Sequence, residues 1–213
     1  MRLVRQLDPV ETRTLGALLE KQQATPEYYP LTLNALLAAC NQKSNRDPVM
    51  ELTEGELHAA LERLRELVFV WKVAGVSRSE KWEHNLDARW ELSGDTKALL
   101  TLLLLRGEQT PGELRTRSER LHAFGSLQEV EEALSRMAAE AEPLVFMLPR
   151  RPGQKETRWS HLVGSAPPGT AKPGPIETAA PDDTLSARVT RLEAQLSALT
   201  NELVELKKKL GES

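Results

Sequence analysis

The sequence predicts a mainly α protein with small β-hairpins (α+β): two tandem copies of one module, then a linker and a C-terminal coiled-coil helix. Three observations carry that expectation. Three amphipathic segments precede a pair of β-branched and aromatic runs, and the whole order occurs twice. Lys81-Trp82-Glu83-His84 and Arg158-Trp159-Ser160-His161 repeat Trp and His at one offset, about 77 residues, which marks an internal repeat. A Pro- and Gly-rich stretch then gives way to an unbroken apolar heptad. The expected boundaries are 1–93 and 94–164 for the modules, 165–183 for the linker and 184–211 for the coiled coil.

In the first module Asp8-Pro9-Val10-Glu11 combines an N-cap, a proline at N1 and an acid at N3, so a helix starts there. Leu15, Leu18 and Leu19 give it a buried stripe ending near Gln23. A second helix runs from Leu31 to Cys40 behind Pro30. A third starts at Thr53, with Glu56 closing the box and Leu57, Leu61, Leu64 and Val68 at helical spacing. Val68 to Val73 reads as a strand, Gly75 to Ser79 as a turn, and Lys81 to Leu86 as the return strand. Three helices followed by a hairpin is the order of a winged helix, a helix-turn-helix variant.

The second module repeats it. Asp95 to Arg106 is a helix, Thr110-Pro111-Gly112-Glu113 opens a short second one, and Ser126 opens a third that buries Val130, Leu134 and Met137. Leu144 to Leu148 and Glu156 to Val163 are strands flanking a wing-like turn, Pro149 to Lys155. In the heptad, Val189, Leu196, Leu203 and Leu210 fall at a, and Leu185, Leu192, Leu199 and Leu206 at d. A parallel pair would match Arg188 with Glu193 and Glu202 with Lys207, whereas an antiparallel pair would bring Arg188 towards Lys209. Parallel homo-oligomerisation is therefore expected.

Composition narrows the function classes. The net charge of −3 over 213 residues gives no overall field towards nucleic acid or anionic membrane. One cysteine, Cys40, excludes an intramolecular disulfide and a multi-cysteine zinc site. The longest apolar run, Ala98 to Leu105, is too short to span a bilayer and no signal peptide is evident, so a cytoplasmic protein without a membrane partner is expected. Cys40 sits in an apolar helix, and His58, His84, His122 and His161 are scattered. With no phosphate loop, metal motif or isolated carboxylate pair, neither an enzyme nor a cofactor is expected. The recurrence of His84 and His161 beside Trp points to packing or bonding within each hairpin.

The stretch from Thr25 to Met50 carries the densest polar text, Asn41-Gln42-Lys43-Ser44-Asn45-Arg46-Asp47-Pro48, straight after a helix. With Glu20-Lys21-Gln22, Leu103 to Gly107, Gln109 to Arg115 and Leu148 to Gly153, it resembles the signature of the YceH family, from about Leu7 to Leu162. The resemblance implies a bacterial protein with two winged-helix domains and brings no biochemical activity with it.

Winged helices most often point to double-stranded DNA, yet both third helices are net acidic, which disfavours insertion into a major groove. Cations lie elsewhere. Lys43 and Arg46 stand with Asn45 on the polar loop, Arg115, Arg117 and Arg120 on the short second-module helix, and Arg150, Arg151 and Lys155 on its wing. Contact through them would be to phosphate, with weak sequence discrimination. The rival expectation is a protein partner: tandem winged helices also serve as interaction platforms, as in the segregation-and-condensation protein B family, which is similar in architecture only. The polar loop would then be a docking surface or a hydrogen-bonded turn.

Overall fold

Asp8 opens helix α1 (Pro9–Ala24): its carboxylate accepts from the Glu11 amide at 2.8 Å, and the Glu11 carboxylate accepts from the Asp8 amide at 2.9 Å. The structure, a computed structural model, describes residues 5–74, 80–150 and 156–164. Every residue of α1 from Glu11 to Leu19 is buried, so helices cover it on several sides. The stripe of Leu15, Leu18 and Leu19 is only part of what it contributes to the core.

A 3-10 turn (Pro26–Tyr28) leads to β1 (Leu31–Thr32), α2 (Leu33–Cys40), α3 (Glu54–Glu66), β2 (Val70–Ala74), β3 (Glu80–His84) and α4 (Leu86–Trp90). The sheet is antiparallel in the order β1-β3-β2, with Leu31 opposite Trp82 and Val70 opposite His84. Three details depart from the sequence reading. Leu31 and Thr32 form a strand rather than the start of a helix, and the Thr32 hydroxyl caps α2 by accepting from the Ala35 amide at 3.3 Å. Two residues are too few to display a strand period. Leu86 begins a short helix instead of ending the hairpin. Val68 lies beyond α3, not on its apolar face: the Val68 and Phe69 amides donate to the Arg65 and Leu64 carbonyls, both at 2.9 Å. That closure sets φ of Val68 at 60° and turns its side chain outward, 45% exposed.

The second half follows the same order. Helices α5 (Gly94–Arg106), α6 (Pro111–Ser118) and α7 (Leu127–Ala139) precede β4 (Val145–Met147) and β5 (Trp159–His161), which pair antiparallel with Val145 opposite His161. Gln109 and Trp159 exchange backbone hydrogen bonds at 3.0 and 2.8 Å, as β1 does with the strand of Trp82 in the first half. The repeat extends to the imidazoles. Nδ1 of His84 accepts from the Leu86 amide at 3.2 Å, and Nδ1 of His161 accepts from the Gly164 amide at 3.3 Å.

The two halves close on each other within one compact unit and share a continuous apolar core. The Leu7 amide donates to the Val163 carbonyl at 3.0 Å, stitching the start of the first half to the end of the second. Gly16 of α1 faces α5 so closely that a Cβ there would lie 2.9 Å from Leu105 Cδ2 and 3.1 Å from Leu104 Cβ. Beside it Gln23 donates to Thr101 Oγ1 at 3.0 Å, and Lys97 bonds both Gln22 and Asp87, at 3.0 and 2.7 Å. No helix among the described residues is long and apolar enough to cross a membrane. The expected turn at 75–79, linker at 165–183 and heptad helix at 184–211 lie outside the described residues.

Candidate anion-binding cleft

The polar loop after α2 is tied down from three sides. Arg46 is buried and gives its guanidinium to Glu20 at 2.6 and 3.0 Å, to the Ala39 carbonyl and to Gln42. Arg13 of α1, also buried, donates to the carbonyls of Cys40 at 3.2 Å, Pro48 at 2.6 Å and Leu105 at 3.5 Å. These include the carboxyl-terminal ends of α2 and α5, whose partial negative charge favours a cation. The Asp47 amide donates to the Leu105 carbonyl at 2.9 Å. The loop is thus a clamped turn between α1 and α5, and Arg46 is a structural cation rather than a surface one. Arg46, expected from the sequence to contact a ligand, has its side chain enclosed and bonded within the molecule.

What the clamp leaves exposed is a cleft of about 830 Å³ between the loop, the last turns of α1 and α5, and the end of α6. Lys21, Lys43, Arg106, Arg117 and Arg120 line it, with Glu20 as the one carboxylate, already held by Arg46. Leu102, Leu121 and Ala24 supply apolar wall. Asn45, in the left-handed region with φ of 59°, accepts from Arg106 at 2.8 Å and so fixes that guanidinium across the gap between halves. Buried Gln109 orients Arg117: it donates to the Leu102 carbonyl at 3.0 Å and accepts from Arg117 Nη1 at 2.8 Å. Burial, and then the charge of Arg117, hold the Arg106 pKa below its ordinary value. The carboxylates of Asp47 and Glu113 pull the other way and offset part of that shift.

Of the residues singled out in the sequence, the structure brings Lys43, Asn45, Arg117 and Arg120 together here. Arg115 is exposed outside the cleft lining and donates to the Gly125 carbonyl at 3.2 Å. Arg150 is exposed beyond β4, and Arg151 and Lys155 lie outside the described residues. Sequence reasoning missed Lys21 and Arg106 as site residues. Each is the basic residue of a last helical turn, where a dipole partner is the ordinary reading. Cys40 is fully buried, and burial pushes its thiol up to about 11, so it is not a thiolate at neutral pH.

Most segments of the resemblance meet here, Glu20 to Gln22, the polar loop, Leu103 to Gly107 and the run from Gln109, whereas the described part of the last, Leu148 to Arg150, is not among the lining. Comparison with known proteins gives the same assignment. The family described as "Protein of unknown function, DUF480" matches residues 7–154. A UPF0502 protein of Geobacter sulfurreducens is 46% identical over 200 residues, covering 94% of this chain and 90% of its own. Those of Chromobacterium violaceum and an Acidovorax species are 45% and 42% identical, covering 97% of this chain and 93% and 95% of theirs. The chain therefore belongs to the DUF480/UPF0502 family of bacterial proteins of unknown function.

Proposed function

We propose that the chain is a non-enzymatic protein of two winged-helix modules that associates with double-stranded DNA by phosphate contact, through the Lys43 loop, the rim of the cleft and the wing at Arg150. The supporting observation is how the charges are sorted. Lys43 and Arg120 have no carboxylate partner among the described residues, whereas the arginines of the third helices are committed. Arg63 bonds Asp8 and Glu11, Arg65 bonds Glu62, and Arg136 bonds Asp95. The faces of α3 and α7 are left with exposed Glu54, Glu56, Glu66, Glu131 and Glu132, which phosphate repels. Contact through loop, cleft rim and wing is the mode these charges permit. It positions the protein on the duplex without reading bases. In this reading the heptad at 184–211 joins chains in parallel, so that two copies engage one duplex and raise avidity.

The test is binding to mixed-sequence duplex DNA across a salt series. Wild type should show a steep fall of affinity with salt. Arg150→Glu/Arg151→Glu and Lys43→Glu/Arg120→Glu should each flatten the log–log slope by about two per chain, the number of phosphate contacts removed. No binding at low salt would refute this reading. A protein partner is the second reading, favoured by Trp71. It is 48% exposed on β2 opposite Glu83, and an exposed aromatic is the commonest anchor of a protein interface.

A further inference from the structure

The cleft has a shape and a lining that phosphate-backbone contact does not call for. Its volume, about 830 Å³, falls within the range of small-molecule sites, and its wall is mixed rather than uniformly polar. Leu102 belongs to the core, only 6% exposed, and lines the cleft together with Leu121 and Ala24. Five cations share the lining: Lys21 from α1, Lys43 from the loop, Arg106 from α5, and Arg117 and Arg120 from α6 and the residues after it. Two of them are held by second residues, Arg106 by Asn45, and Arg117 by Gln109 and by the Glu113 carboxylate at 3.4 Å, so the arrangement is set before any ligand arrives. Preset guanidinium groups suit phosphoryl oxygens, which accept paired N–H donors.

We infer that the cleft binds a small phosphorylated molecule of the nucleotide type. Its phosphoryl groups meet Lys43, Arg106, Arg117 and Arg120, and its base lies against Leu102 and Leu121. The inference shares cations with the DNA reading but does not depend on it. A bound nucleotide would neutralise charge at the junction of the two halves, where the loop, α1, α5 and α6 all converge.

The experiment is isothermal titration of the full chain at constant ionic strength with ADP, adenosine and pyrophosphate as probes. ADP should bind, pyrophosphate at least tenfold more weakly, and adenosine without measurable heat. Lys43→Glu and Arg120→Glu, both at exposed positions, should each weaken ADP at least tenfold. Leu121→Gln should weaken ADP and leave pyrophosphate unchanged, a readout that general unfolding would not give. Absence of heat with ADP, or equal binding by the charge-reversed variants, would overturn the site. Pyrophosphate binding as tightly as ADP would overturn the nucleotide assignment. Arg150→Glu, outside the cleft, should leave ADP binding intact while lowering the salt slope on DNA, so the two readings fail separately.

Discussion

In each half an imidazole sits inside the hairpin and accepts a backbone amide through Nδ1, an arrangement that only the neutral ring can make. Burial lowers both pKa values from 6.5 to about 4; at His84 the opposing pull of Asp87 is outweighed. The sign of the linkage follows. Below pH 6.5 the unfolded chain takes up a proton that the native imidazole refuses, so stability is complete above that pH and is lost as pH falls towards 4. We predict that the urea midpoint falls between pH 7 and pH 5, and that His161→Asn, which keeps an acceptor near Nδ1, removes part of that slope. An unchanged slope would contradict the role given to His161. At this scale the Trp-x-His repeat was legible as a packing feature. Its bonding was not, because the partners are backbone amides, which every residue carries. The same holds for Arg13, whose partners are carbonyls.

Elements were legible where side chains announce them. Asp8 with Glu11, Thr53 with Glu56 and Thr110 with Glu113 all form reciprocal capping boxes at the expected starts. Ser126 caps α7, although Glu129 reaches back to the Gly125 amide instead, at 2.9 Å. Helix ends were less legible, and Val68 shows why. A β-branched residue disfavours the left-handed region, yet the closure of α3 onto Leu64 and Arg65 demands it. Val68→Gly should relieve that strain at a position outside the apolar core, raising stability by about 1 kcal/mol after the entropic cost of glycine. A lower melting temperature would show that Val68 makes a contact worth more than its strain. Gly16 argues the opposite case: no sequence rule marks it, because its reason is the approach of α5. Gly16→Val should cost about 2 kcal/mol in chemical denaturation by forcing Leu104 and Leu105 apart from α1.

For the whole molecule, a net charge near zero conceals a sorted surface. Folding places carboxylates along α3 and α7 and gathers Lys43, Arg106, Arg117 and Arg120 around one cleft, which no sum over the chain could reveal. The relative placement of the halves decided which cations meet, and that depended on Gly16, Gln23 and Lys97, residues with no motif of their own. Self-association is the prediction at this scale. In sedimentation equilibrium the full chain should be a dimer or larger, and Leu196→Asp/Leu203→Asp, at two a positions, should return it to monomer. A wild-type monomer would instead mean that the heptad does not join chains. The stitch between Leu7 and Val163 has a consequence for synthesis. On the ribosome, Val163 is made roughly 10–30 s after Leu7 at ordinary elongation rates. For that interval the amino end of α1 has no strand partner and α5 is not yet complete for much of it. Until α5 has emerged, the side of α1 around Gly16 is the part of that helix left without its cover.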